Sequence, residues 1–399
     1  MRQLSALDAV FIGLAAMLGA GVFVVFGPAF ELAGSWLMIA ILLAGLVAYL
    51  NAATIAQLAA QVTRSGGTYA YGRAYMNNTW GFLAGITFLV GKIGSSAAIA
   101  LTFAGYLLPD YQVPVSVAAV IVMAVINIAG INRTAFGSKI LASITIFFLL
   151  VLMAAAATAP VVEASAAPGE PLGVFTASAL IFFAFAGYAR VATLGGEVRD
   201  SERNVPMAIR ISLGIVLVIY LALGYLLTTR LGGNLGGTLP LGDLAQVSLR
   251  GVDAGSVAPF VAIAALGSLL ALLAGMSRTA AEMALDGELP RAFAGRLKNG
   301  TPVIAEIAIS GLVMVLILSG SIVFTIGLSS FAILVYYAIA NLAAYRQPKS
   351  ESGRPRAWNL AGLTLCLLLA LSVPFSSLLL GAVLLSLSLF LRWGLRALR

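Results

Sequence analysis

Histidine is missing from all 399 residues, cysteine occurs once, and Asp, Glu, Lys and Arg together make up only 10% of the chain. Each scarcity narrows the chemistry. Without histidine there is no side chain whose unperturbed pKa lies near neutrality, and the commonest general base and metal ligand are gone. A single cysteine, Cys366, rules out a disulfide within the chain and a cysteine metal cluster. The shortage of charge accompanies 61% hydrophobic residues and a mean hydropathy of +1.04, whereas a soluble domain carries about 25% charged residues. These values describe an integral membrane protein. The net charge of +8 does not point to nucleic acid, because the basic residues stand singly between apolar runs, as topology determinants do.

What the chain has in abundance is apolar length. Runs such as ILASITIFFLLVLMAAAATA, Ile140 to Ala159, lack the roughly ten-residue alternation of an outer-membrane barrel, so the spans are helices. Crossing about 30 Å of hydrocarbon takes about 20 residues. Twelve segments qualify: 8 to 30, 36 to 61, 80 to 107, 113 to 130, 139 to 160, 173 to 196, 207 to 231, 256 to 285, 301 to 320, 322 to 345, 357 to 373 and 375 to 395. An even number places both termini on one side. Nineteen of the 23 lysines and arginines lie on that side and only Arg230 and Arg250 lie opposite, which puts both termini in the cytoplasm of a multi-pass protein of the cytoplasmic (inner) membrane. The polar start, Met1 to Asp8, and the apolar segment behind it carry no convincing small-x-small cleavage site, so the first span is expected to be retained.

That first span contains GLAAMLGAGVFVVFGPA, Gly13 to Ala29, with glycines at 13, 19, 21 and 27. An interior glycine costs a helix about 1 kcal/mol relative to alanine, so a simple anchor has no use for a pair at mid-span. Spans 1 to 5 and spans 6 to 10 form two sets of five, and an odd number forces the second set into inverted topology. In transporters built this way, discontinuous helices at matching positions hold substrate near the midplane. The sixth span is interrupted where the match requires it: ALIFFAFAGYARVATLGGEV has Gly187 at its centre, followed by Tyr188, Ala189 and Arg190. Breaks of this kind leave N–H and carbonyl groups that lipid cannot satisfy. A zwitterion satisfies both, its carboxylate accepting at the positive end of one half-helix and its ammonium donating at the negative end of another. Small residues also let helices pack closely, as Gly81 and Gly85 are expected to do, but two clusters at equivalent positions favour a site. A dinucleotide loop is excluded because Val24 stands where GxGxxG needs its third glycine.

At these residues the chain resembles the amino acid–polyamine–organocation (APC) superfamily, over about 340 residues from LSALDAVFIGLAAMLGAGVF through span 10. GAGVF is similar to the family's helix 1 motif, and SGGTYAYGRAY to the loop after helix 2. FFAFAGYARVATLGGEVRDSERNVPMAI resembles the helix 6 signature, and AGMSRTAAEMALDGELP the end of helix 8. The chain looks most similar to bacterial amino acid permeases near the cationic amino acid transporter branch. The resemblance implies the all-α leucine-transporter fold, a 5+5 inverted repeat plus two C-terminal helices. Its first repeat would be residues 1–160, its second 161–346, and the last two helices 347–399. It further implies that a substrate carboxylate meets backbone near Gly19, Ala20 and Gly21, and that its ammonium meets carbonyls near Met17, Phe185 and Ala186. Beside Gly187, side-chain recognition would fall to Phe183, Phe185 and Tyr188 of span 6, Ser96 of span 3 and Ser329 of span 10, although aromatics on a membrane helix also serve packing.

Four residues are candidates for coupling or gating. Lys92 lies about twelve residues into span 3, where a cation costs at least about 2.5 kcal/mol unless it faces a cavity or partner. It is read as binding an anionic substrate group, exchanging a coupling proton, or forming a structural ion pair. Arg190 keeps its charge and suits gating or anchoring, with Glu197, seven residues on, or another acid of the cytoplasmic half as partner. Many relatives carry a lysine in helix 5 that replaces a sodium ion; here that position reads Thr145, and span 8 offers only Ser268 at mid-membrane. The expected function is secondary active transport of an amino acid or related amine by alternating access, coupled to protons or by exchange. No cofactor or metal is expected. The alternatives are a membrane-embedded enzyme, for which no water-activating constellation is present, and a passive channel, for which no filter motif is present. Substrate identity, flux direction and oligomeric state are not set by the sequence.

Overall fold

The breaks at Gly19 and Gly187 decide how the first and sixth spans are built. In the computed structural model, which describes residues 4–62, 66–130, 135–162, 169–188, 191, 198–249, 251–348, 350–351 and 353–397, the chain folds into helices, and no strand forms among the described residues. Helix α1, Ala6–Met17, starts at a capping box: the Ser5 hydroxyl accepts from the Asp8 amide, and the Asp8 carboxylate accepts from the Ser5 amide at 2.8 Å. It stops at Met17. Gly19 is extended, a single 3-10 turn spans Ala20–Phe23, and α2 resumes at Phe26–Ala33.

The next elements are α3, Leu37–Ala59; the short α4, Thr68–Tyr75; α5, Asn78–Leu107; α6, Gln112–Ile128; and α7, Ala135–Thr158. Helix α8, Gly173–Phe185, ends beside Gly187. Beyond it lie α9, Ser201–Leu231; the short α10, Pro240–Ser248; α11, Ala258–Leu285; and α12, Val303–Ile317. The last three are α13, Ile322–Arg346; α14, Arg356–Leu371; and α15, Phe375–Ala397. Among the described residues, eight stretches are long and apolar enough to cross a membrane, and four shorter apolar helices accompany them, in register with the twelve expected spans. Helices α5 and α13 form the buried centre of the bundle, and α15 presents Phe390 and Trp393 outward.

Two sequence motifs meet on the side where α3 and α11 end. The glycine pair of SGGTY turns the chain with positive φ at both Gly66 and Gly67, which lets the Thr68 amide donate to Tyr336 Oη at 3.0 Å. Behind it, Tyr69 donates to Asp286 at 2.7 Å, and burial together with that carboxylate pushes the phenol pKa upward. Arg73 lies 3.7 Å from Asp286 and 3.6 Å from Glu288, both in the DGELP segment. Arg392 of α15 closes the cluster, with a bidentate grip on Glu288 at 2.7 and 2.9 Å and further bonds to Thr79 and the Asn78 carbonyl. Both partners are buried. Removing Arg392 takes the bidentate partner from Glu288 and leaves it the longer Arg73 contact at 3.6 Å, so Arg392→Met is expected to cost about 3 kcal/mol of stability, the lower end for a broken buried pair. Adding Glu288→Gln should recover part of that loss in detergent melts, and an unchanged melting point for the single variant would contradict the assignment.

Candidate functional site

The two breaks pack backbone against backbone. A methyl group built on Gly187 would run into the Ala16 carbonyl and lie 2.7 Å from the Met17 nitrogen, and one on Gly21 would lie 3.0 Å from Ala184 Cα. Only glycine permits the first approach. Gly19 faces α11, where a methyl group would lie 2.6 Å from the Ser268 hydroxyl oxygen. Ala20, Gly21 and Ala186 are buried at this junction, as is Phe183, whose ring edge borders Gly21.

Where each helix stops, its last carbonyls lose their intrahelical partners. Tyr220 of α9 reaches both ends: its hydroxyl lies 2.8 Å from the Met17 carbonyl and 3.2 Å from the Ala184 carbonyl. A phenol has one proton to give, and a carbonyl oxygen has two lone pairs, so acceptor capacity is left over at both ends. Phe185 and Phe26 wall this point, their rings 4.8 and 5.7 Å from that of Tyr220. On the far side, Tyr106 donates to the Phe23 carbonyl at 2.8 Å beneath α10, whose Leu241, Leu244 and Ala245 are buried over the break. Burial raises the Asp243 carboxyl pKa in the same short helix.

The other expected site residues fall into three groups. Tyr188 is fully buried and stacks on Tyr337 with ring centres 5.3 Å apart. Nearby, Asn51 accepts from Asn341 at 2.7 Å and from the Cys366 thiol at 3.2 Å, and Thr54 reaches both Asn341 and Asn359, a polar cluster joining α3, α13 and α14. Ser329 pairs at 2.7 Å with Ser95, whereas its neighbour Ser96 is buried with no hydroxyl partner among the described residues. Thr145 lines a crevice with Ala15, Leu18, Ala142, Ile263, Ala264 and Ser268, so the helix 5 position does face the first break.

Lys92 is half-buried on α5, one turn from Phe88, which packs on Tyr336, and among the described residues no carboxylate pairs with it. Arg190 and Glu197 lie outside the described residues. Two residues that bear on the site were not singled out from the sequence. Tyr220 gave no signal, since a tyrosine in VLVIYLALGY reads as packing. Glu306 did give one, an acid inside the ninth apolar span, and it is buried against Asn127 at 2.9 Å. Among the described residues no group of three metal-binding side chains forms.

Comparison with known proteins bears on this geometry. A family model described as amino acid permease matches residues 4–385. An uncharacterized transporter of Mycobacterium tuberculosis is 42% identical over 398 residues, covering 96% of this chain and 89% of its own length. A methylthioribose transporter of Bacillus subtilis is 27% identical over 322 residues, covering 73% and 69%. The branched-chain amino acid permease BcaP of the same organism is 27% identical over 342 residues, covering 76% and 72%.

Proposed function

The chain belongs to the amino acid permease family, and from that premise we propose that it carries an amino acid or a related amine through a site at the paired helix breaks, by alternating access. It is a membrane transporter, not an enzyme. The observation that carries the reading is the convergence of Met17, Gly21, Ala184 and Gly187 at one point, with spare acceptor capacity on two helix-end carbonyls. An ammonium fits those carbonyls, and a carboxylate fits the N–H groups of the turn at Ala20–Phe23. Residues 1–160 and 161–346 act as the two inverted repeats, with 347–399 appended, and both termini face the cytoplasm. Phe183, Phe185 and Tyr188 line the side-chain pocket, and Ser96 and Ser329 support it from the neighbouring helices. Lys92 serves coupling, Thr145 stands beside the first break, and Arg190 with Glu197 forms a cytoplasmic gate.

A thermal-shift screen of the twenty amino acids and common polyamines, followed by counterflow in proteoliposomes, tests this reading. Saturable counterflow of a stabilising amino acid supports it; chemical conversion of the added compound, or unsaturable flux, overturns it. Tyr220 offers a sharper check. Its hydroxyl satisfies carbonyls that the substrate's ammonium also satisfies, and a buried acceptor left unpaired costs about 1–3 kcal/mol. Tyr220→Phe is therefore expected to melt earlier than the wild type without substrate and to gain more from saturating substrate. Equal ligand-induced shifts in both proteins would remove Tyr220 from the site.

A further inference from the structure

We propose that Glu306 is a proton-binding site, and that Asn127 passes its charge state to α11 behind the helix-1 break. This rests on the reading of that break as the substrate site. Glu306 sits one turn into α12 and is 1% exposed. Asn127 of α6 donates its side-chain amide both to Glu306 Oε1 at 2.9 Å and to the Leu270 carbonyl at 3.1 Å. The carboxyl lies near helix ends, in the first turn of α12 and beside Asn127, one residue from the end of α6. A buried ionisable group inside an apolar span marks a functional site by default.

The second carboxyl oxygen supplies the place for the proton. Among the described residues, Glu306 Oε2 has no hydrogen-bond partner, and neither has Ser310 Oγ one turn further along the same face. Ser277 of α11 faces the carboxyl and interacts with it, its hydroxyl also lying 3.2 Å from the Ala274 carbonyl. The charged group that faces Glu306 is Arg278 of α11; α6 contributes Asn127, and neither Lys92 of α5 nor Arg291, in the turn before α12, acts on it. Asn299 and Thr301 donate to the Ile128 and Asn127 carbonyls and close the end of α6 over the carboxyl.

Asn127 gives one amide hydrogen to Glu306 Oε1 and the other to the Leu270 carbonyl. An ionised carboxylate holds its hydrogen in a charge-assisted bond; protonation on Oε2 weakens that bond and frees the Asn127 side chain, with its bond to α11, to shift. Two residues before Leu270, Ser268 lies beside Gly19 at the helix break, its hydroxyl oxygen 2.6 Å from where a Gly19 Cβ would sit. Proton binding at Glu306 thereby resets the packing behind the substrate site, and the rate of transport follows pH even without a pH gradient.

The test uses the full-length protein. Infrared difference spectra of wild type, taken from about pH 9 down to about pH 5, should show a buried protonated-carboxyl band that Glu306→Gln lacks and Glu306→Asp shifts. Counterflow of radiolabelled alanine, leucine and arginine at equal internal and external pH should depend on pH in wild type and lose that dependence in Glu306→Gln. A band unchanged by the substitution overturns the proposal, as does a carboxylate that stays ionised throughout beside Arg278. Absence of counterflow in wild type with all three probes would instead count against the transport reading, since the infrared result does not depend on it.

Discussion

Gly187→Ala is expected to abolish substrate binding while the protein still folds and inserts. The position tolerates no Cβ, because the Ala16 carbonyl and the Met17 nitrogen of the facing break occupy that space. These are backbone atoms, so relief requires moving one half-helix against the other. A displacement of about 1 Å among groups that must converge on one ligand costs on the order of 100-fold. Gly21→Leu should also fold and lose binding, since Ala184 Cα stands 3.0 Å from the first added carbon. Gly275→Ala provides the control: it lies on α11 with nothing within 4 Å of the added methyl, and should bind as wild type does. Thermal shifts with the amino acid found by screening measure all three. Wild-type affinity in Gly187→Ala or Gly21→Leu would dissociate the paired breaks from the substrate site.

Much of this architecture was legible because span length is a strong physical constraint: a helix that must cross hydrocarbon declares itself in residue count alone. The breaks were legible for a related reason. Glycine pairs inside an apolar helix carry a cost that needs an explanation, and their recurrence at Gly19–Gly21 and Gly187 pointed to one place. The details around that place were less legible. On α5 nearly every face is buried, from Gly94 through Tyr106, so apolar periodicity does not fix which serine meets α13. The sequence named Ser96 and Ser329 for substrate recognition; that Ser329 bonds to Ser95, one residue or about 100° around the helix from Ser96, could not be read from it. Tyr188 was named for its nearness to Gly187; its stacking on Tyr337, from a helix distant in sequence, was not legible. Tyr220 comes from a helix 200 residues away from Met17 in the chain, and only the assembled bundle brings them together. Glu306 stood out as an acid within a mostly apolar span, but nothing in the sequence indicated that Asn127 of α6 would meet it.

Lys92→Met should separate two roles that a buried cation can play. If the ammonium binds a substrate carboxylate, the variant loses binding at every pH, because the anion loses its charged partner. If Lys92 exchanges the coupling proton, the variant still binds and exchanges substrate, but uptake driven by a pH gradient disappears. The geometry favours the second outcome. Lys92 is half-buried beside Phe88 and has no carboxylate partner among the described residues, and the N–H groups of the first break already suit a substrate carboxylate. A permanently charged ammonium so placed lacks the pairing that buried charges need, whereas a group that takes up and releases a proton is free to be neutral for part of the cycle. The expected result is therefore counterflow near the wild-type rate and loss of gradient-driven accumulation. The pH profile of exchange at equal pH should persist in Lys92→Met, since that property is assigned to Glu306. Loss of counterflow would shift Lys92 to substrate recognition, and wild-type behaviour in both assays would leave it a packing residue.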